Sequence, residues 1–102
     1  MASADDRKKK ARIFKALAHP IRLHIVEILL EDEKCVNDIR ELFDATQPNI
    51  SQHLNILKYS RIVDFRQKGN LRCYYLQNPE KIRKIIQAVT DLVAQLDTLG
   101  FA

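Results

Sequence analysis

Between Val36 and Arg72 the spacing of apolar residues changes its period, and that change restricts the fold more than any other feature of the chain. Val36, Ile39 and Leu42, then Ile50, Leu54 and Leu57, recur at helical steps of three and four. They predict a third helix over about 36–43 and a fourth over about 47–59, linked by Asp44 to Thr46. From Arg61 to Leu76 the pattern becomes largely alternating on both sides of Lys68-Gly69-Asn70, as in two strands joined by a tight turn. A pair of short helices followed by a hairpin reads as a helix-turn-helix with a wing.

The charge sits in the same place. Residues 1–44 hold nine Lys/Arg and nine Asp/Glu, and residues 73–102 hold three of each. Residues 45–72 hold Lys58, Arg61, Arg66, Lys68 and Arg72 against Asp64 alone, so the formal +4 of the chain belongs to this one segment. A local cationic surface around such a motif points to a phosphate backbone as partner.

Helices are also predicted on either side. Asp5 and Asp6 open a first helix of about 5–18 with Ile13, Phe14 and Leu17 on one face, and Pro20 opens a second whose stripe is Ile21, Ile25, Ile28 and Leu29. After Asn78-Pro79 a last helix, about 79–99, places Ile82, Ile85, Ile86, Val89, Leu92, Val93, Leu96 and Leu99 at steps of three and four. That stripe is long for so small a core, so the helix is expected to pack partly on its own domain and partly on a second copy. The fold class is mainly α with a small β-hairpin, about five helices plus a wing, and the 102 residues read as one domain.

Turning the fourth helix about its apolar stripe, at ~100° per residue, puts Pro48, Ser51, Gln52, Asn55 and Tyr59 outward, with Asn49 at the edge. Asn and Gln can pair with adenine in the major groove, and Ser is adaptable. Asn49, Ser51 and Gln52 are therefore candidates for base edges, and Gln47 for a base or a nearby phosphate. Arg66, Lys68 and Arg72 flank the wing turn, where long cationic side chains reach backbone or minor groove. The basic run from Arg7 to Arg12 is balanced by acids and reads as a solvated helix end.

Other classes fit poorly. No apolar run approaches the ~18–20 residues of a membrane span, and the N-terminus lacks the apolar core of a secretory signal, so a cytoplasmic place is expected. Two glycines offer no phosphate-cradling loop, and no nucleophile, base and acid stand at a motif spacing, so an enzyme is not expected. His19, His24 and His53 fit capping, packing or surface roles. Cys35 and Cys73 are too few for a disulfide scaffold and read either as small apolar residues or as sensors.

The segments F-K-A-L-A-H-P-I-R-L-H-I-V-E-I-L-L, C-V-N-D-I-R-E-L, T-Q-P-N-I-S-Q-H-L-N-I-L-K and G-N-L-R-C-Y-Y-L, in this order over about 12–78, resemble the ArsR/SmtB family of bacterial and archaeal winged-helix repressors. The resemblance implies a homodimer on a pseudo-palindromic operator, with first and last helices at the dimer interface, fourth helices in major grooves and wings alongside. It also implies that a metal ion or thiol-reactive species relieves repression in many members.

The sensing residues depart from the family pattern. Many metal-responsive members carry C-V-C-D where this chain has Cys35-Val36-Asn37-Asp38, and others bind zinc through a last helix that here has no His. Cys35 and Cys73 remain the sensing candidates, with no metal ligand set defined. One expectation is a soft metal or arsenite held through Cys35, with Cys73 or a partner chain supplying the missing thiolate. The other follows from winged-helix folds, in which the segment entering the third helix often forms a short strand beside the second wing strand. That would make the cysteines neighbours, and a bond between them would tie the helix-turn-helix to the wing and favour release. Competing readings are a constitutive winged-helix regulator without an effector, and a winged-helix protein-interaction module that uses the fourth helix for assembly.

Overall fold

The structure, a computed structural model, describes residues 3–44 and 49–100. Its helices begin where the sequence supplies start signals. Ser3 caps α1 (Ala4–Leu17), its hydroxyl accepting from the Asp6 N–H at 3.1 Å, and Asp5 and Asp6 stand in the first turn, where the helix dipole favours acids. His19 caps α2 (Pro20–Glu31) through Nδ1, which accepts from the Ile21 N–H at 3.1 Å. Pro20 fills a position whose N–H would have no helical partner anyway. β1 (Lys34–Cys35) leads straight into α3 (Val36–Glu41), followed by α4 (Ile50–Tyr59), β2 (Val63–Lys68), β3 (Leu71–Leu76) and α5 (Pro79–Thr98). Among the described residues, five helices, the short β1 and a hairpin make up the mainly helical winged fold that the sequence pattern predicts. No helix among the described residues is long and apolar enough to cross a membrane.

The sheet is antiparallel in the order β1-β3-β2, with Cys35 opposite Cys73 and Cys73 opposite Arg66. Gly69 makes the hairpin turn at φ +61°, a backbone state that a residue without Cβ enters freely. Ile25 and Val26 of α2, Ile39 of α3, Leu54 and Leu57 of α4 and Val63 of β2 are fully buried at the centre of the core. Each large side chain so buried contributes roughly 1.5–3 kcal/mol. α4 is thus seated by Ile50, Leu54 and Leu57, as its periodicity predicts, and turns its other face to solvent.

Three local expectations are corrected. α3 ends at Glu41 because the N–H groups of Leu42 and Phe43 bond to carbonyls three residues back, Ile39 and Arg40, both at 3.1 Å. That tighter turn sends Leu42 to solvent and lays Phe43 on the core. α1 buries the edge bearing Ile13, Ala16 and Leu17, which leaves Phe14, turned ~100° from Ile13, 63% exposed. Asn49, expected inside the fourth helix, lies instead in the left-handed region at φ 72°, so the described α4 opens at Ile50, and residues 47 and 48, where the pattern starts the helix, lie outside the described residues. On α5, Ile82 is buried and Ile85 and Ile86 are half-buried, but Val89, Leu92 and Val93 are about half exposed and Leu99 is more so.

Candidate nucleic-acid interface

The buried stripe of α4 fixes which side chains the helix presents. Asn49, Gln52, Asn55 and Tyr59 are exposed and Ser51 is half-buried, so the expected Asn49, Ser51 and Gln52 share one polar surface. Gln47 and Pro48, also expected there, lie outside the described residues. Arg40 of α3 donates from Nη2 to the Ser51 hydroxyl, so the first helix of the pair orients a side chain of the second. Nothing in the spacing of either helix announces that contact, and the sequence reading misses Arg40.

The wing cations separate into two groups. Arg72 pairs opposite Gln67, while Arg66 and Lys68 alternate with Gln67 along β2 and so point to the other face of the hairpin. The Arg72 guanidinium lies 4.6 Å from the centroid of the Phe65 ring, and Lys58 Nζ stands 5.4 Å from the same centroid and 3.9 Å from Asp64 Oδ1. Together with Arg61, Asn55, Tyr59 and Gln77 they line an open cleft of about 730 Å³ between the end of α4 and the hairpin. Cations laid over an aromatic face are held in place yet keep their charge.

Arg61 reaches this cleft through an unusual backbone. Its N–H donates to the Lys58 carbonyl at 2.9 Å and the next N–H, of Ile62, to the Leu57 carbonyl at 3.0 Å, which is the paired closure of a helix end. The turn puts Arg61 at φ 62°, where glycine is usual and other residues cost about 1–2 kcal/mol. No sequence signal marks such a site when the residue is arginine. Lys58 could have been found, since it follows Ser51 and Asn55 at helical steps on α4.

Arg66 and Lys68 converge instead on Glu33, in the segment before β1. Lys68 Nζ is 3.0 Å from Oε2 and Arg66 Nη1 is 3.5 Å from Oε1, while the Arg66 guanidinium covers the Tyr75 ring at 4.5 Å. Glu33 stands 35 positions from Lys68, which is why the sequence reading passes over it.

Behind α4, Arg22 of α2 donates from Nε to the Ala16 carbonyl at 2.6 Å, from Nη2 to the Lys15 carbonyl at 3.2 Å and from Nη1 to His53 Nδ1 at 3.2 Å. It ties the end of α1 to α4. Burial, then His19 with its ring 4.4 Å away, then Arg22 hold the His53 imidazole below its ordinary value of 6.5. Folding therefore favours the neutral ring. Its stability contribution is full above about pH 6.5 and is lost as pH falls through that value toward the lower folded one. Urea unfolding at a series of pH values should show this fall, and His53→Gln, which keeps an acceptor for Arg22, should remove its share of the pH dependence.

Cys35 and Cys73, directly opposite in the β1–β3 ladder, form a disulfide with Cα atoms 3.7 Å apart, inside the ~7 Å that a bond requires. In this oxidised form the Cys35 sulfur is no thiolate, so the expectation of a soft metal or arsenite held through it lacks its donor. Among the described residues no group of three or more His, Cys, Asp or Glu is placed to hold a metal ion.

Comparison with known proteins places this geometry. Residues 19–64 match the model described as bacterial regulatory protein, arsR family. An HTH-type transcriptional regulator of Methanocaldococcus jannaschii, MJ1325, is 41% identical over 86 residues, spanning 83% of this chain and 96% of the relative. The transcriptional repressor SdpR of Bacillus subtilis is 32% identical over 83% of this chain and 93% of its own length. Among solved structures, the homodimeric winged helix-turn-helix DNA-binding domain Mb0332 of Mycobacterium bovis superposes with a TM-score of 0.70 at 30% identity, covering 89% of this chain and 91% of that one.

Proposed function

The chain belongs to the arsR family of bacterial regulatory proteins, a class of transcriptional regulators and not of enzymes, and we propose that it is a cytoplasmic, dimeric repressor of transcription. Its ligand is a pseudo-palindromic operator in double-stranded DNA. The observation that carries this reading is the polar face of α4, with Asn49, Ser51 and Gln52 exposed or half-buried, set beside the cationic cleft of Lys58, Arg61 and Arg72. In it, α4 lies in the major groove with Ser51, Gln52 and Asn49 at base edges, and Gln47 at a base or nearby phosphate. Arg72 with Lys58 and Arg61 follows the phosphate backbone, and Arg66 and Lys68 reach backbone or minor groove from the far face of the wing.

The exposed apolar residues of α5, with Phe14 of α1, supply the dimer face, and a two-fold axis there sets two α4 helices about one DNA turn apart, ~34–36 Å. The homodimeric state of the M. bovis domain and the repressor function of SdpR support this reading. Thiol chemistry at Cys35 and Cys73 is the proposed input that relieves repression.

The test is binding to the DNA upstream of the protein's own gene over a range of salt. Each neutralised phosphate releases counterion, so affinity should fall steeply with salt, and Arg72→Ala should reduce the log–log slope by about one unit. Affinity that is indifferent to salt overturns the reading.

A further inference from the structure

The contact of Glu33 with Arg66 and Lys68 has no place in a surface built only to meet DNA, because a carboxylate there occupies the charges that phosphate would take. The two cationic side chains are otherwise well exposed, 62% and 57%, and within reach of an external anion. The carboxylate is imperfectly seated: Oε1 is enclosed, yet no donor gives it a hydrogen bond, the Arg66 nitrogen standing at 3.5 Å. Its seat depends on β1. That edge strand is two residues long and supplies little pairing of its own, and the Cys35–Cys73 bond, two residues beyond Glu33, is the covalent tie that fixes it to the hairpin.

We propose that Glu33 is a built-in competitor of DNA phosphate: with Cys35 and Cys73 bonded its carboxylate occupies Arg66 and Lys68, and breaking the bond frees both cations for the DNA backbone. The proposal rests on the DNA-binding reading above and adds to it a regulatory residue, Glu33, and a physical cause for the oxidised protein being the weaker binder. Cys35 is the half-buried member of the pair and Cys73 the fully buried one, so an incoming thiolate meets the Cys35 sulfur. A dithiol reductant attacks there, the sulfur–sulfur bond breaks and Cys73 leaves as thiolate. The second thiol of the reductant then resolves the mixed disulfide, so that two electrons and two protons pass to the protein and the reductant departs as its own disulfide. A small-molecule disulfide reverses the process. In a reducing compartment such a bond reports redox state, since it does not persist as a staple.

The experiment uses a fluorescent mixed-sequence duplex, because phosphate contact needs no operator, and follows the salt dependence of binding for the oxidised and reduced wild type and for Glu33→Gln in both states. Intact mass reports the state of the cysteines. Reduction should steepen the wild-type slope by roughly two units, one for each released cation, while Glu33→Gln should show the steeper slope in both states. Cys35→Ser, which cannot form the bond, should match the reduced wild type. Equal slopes for oxidised and reduced wild type overturn the proposal, as does a Glu33→Gln protein that keeps the full redox response. A mass that never loses the two thiol hydrogens under a small-molecule disulfide also overturns it. If no form binds the duplex in a salt-dependent way, it is the DNA-binding reading that fails.

Discussion

Replacing Leu92 and Leu96 together by glutamate is expected to give a folded monomer whose affinity for the operator is lower by a factor on the order of 10²–10⁴. Both residues lie on the outer part of α5, where the helix has left its own core: Leu92 is half exposed and Leu96 is partly so. Charges introduced there cost the isolated domain little, and the far-ultraviolet circular dichroism should not change. Across a two-fold interface the same charges meet their own copies in a low-dielectric setting. The loss in affinity follows from linkage, because two half-sites held in one dimer bind as a single ligand and two monomers do not. Sedimentation alongside operator binding checks both halves of the expectation. An unmodified protein that is monomeric at micromolar concentration and still binds its operator tightly would refute the dimer.

Removing the Gln52 side chain should cost roughly 1–3 kcal/mol on the operator, about 5- to 150-fold in affinity, and much less on unrelated DNA. Gln52 is exposed next to Ser51, which Arg40 already engages, so it is the freer of the two central groups on the polar face of α4. An amide in that position can give and take one hydrogen bond each with adenine, and alanine can do neither. Titrations of Gln52→Ala against both duplexes separate base reading from positioning, because an equal loss on the two would assign Gln52 to the backbone.

The parts of this fold written in the sequence are those governed by period and by local start signals. The stripes of α2 and α4, the turn at Gly69 and the opening of α2 at Pro20 each follow from residues within one or two helical turns. Side chains whose direction depends on how a short helix closes were not legible, and Leu42 and Phe43 exchange roles for that reason. The candidate site divides in the same way. The polar face of α4 follows from helical geometry alone. Arg40 on Ser51, Glu33 under the wing and the left-handed Arg61 arise from contacts between elements or from a backbone state that arginine does not advertise. The closeness of Cys35 and Cys73 was expected only by likeness to winged-helix folds, since 38 positions separate them and the register of β1 on β3 is a tertiary fact.

Among the described residues, the order of the sheet leaves β2 without a neighbour on its outer side. A free row of backbone donors and acceptors invites a strand from another molecule, and charges spaced along such an edge discourage that pairing. Asp64, Arg66 and Lys68 occupy alternate positions of this strand, so a second wing approaching in parallel register would set each of these charges against its own copy. Charges at these positions are of the kind that discourages edge-to-edge aggregation, a reason for a charged wing that does not depend on DNA.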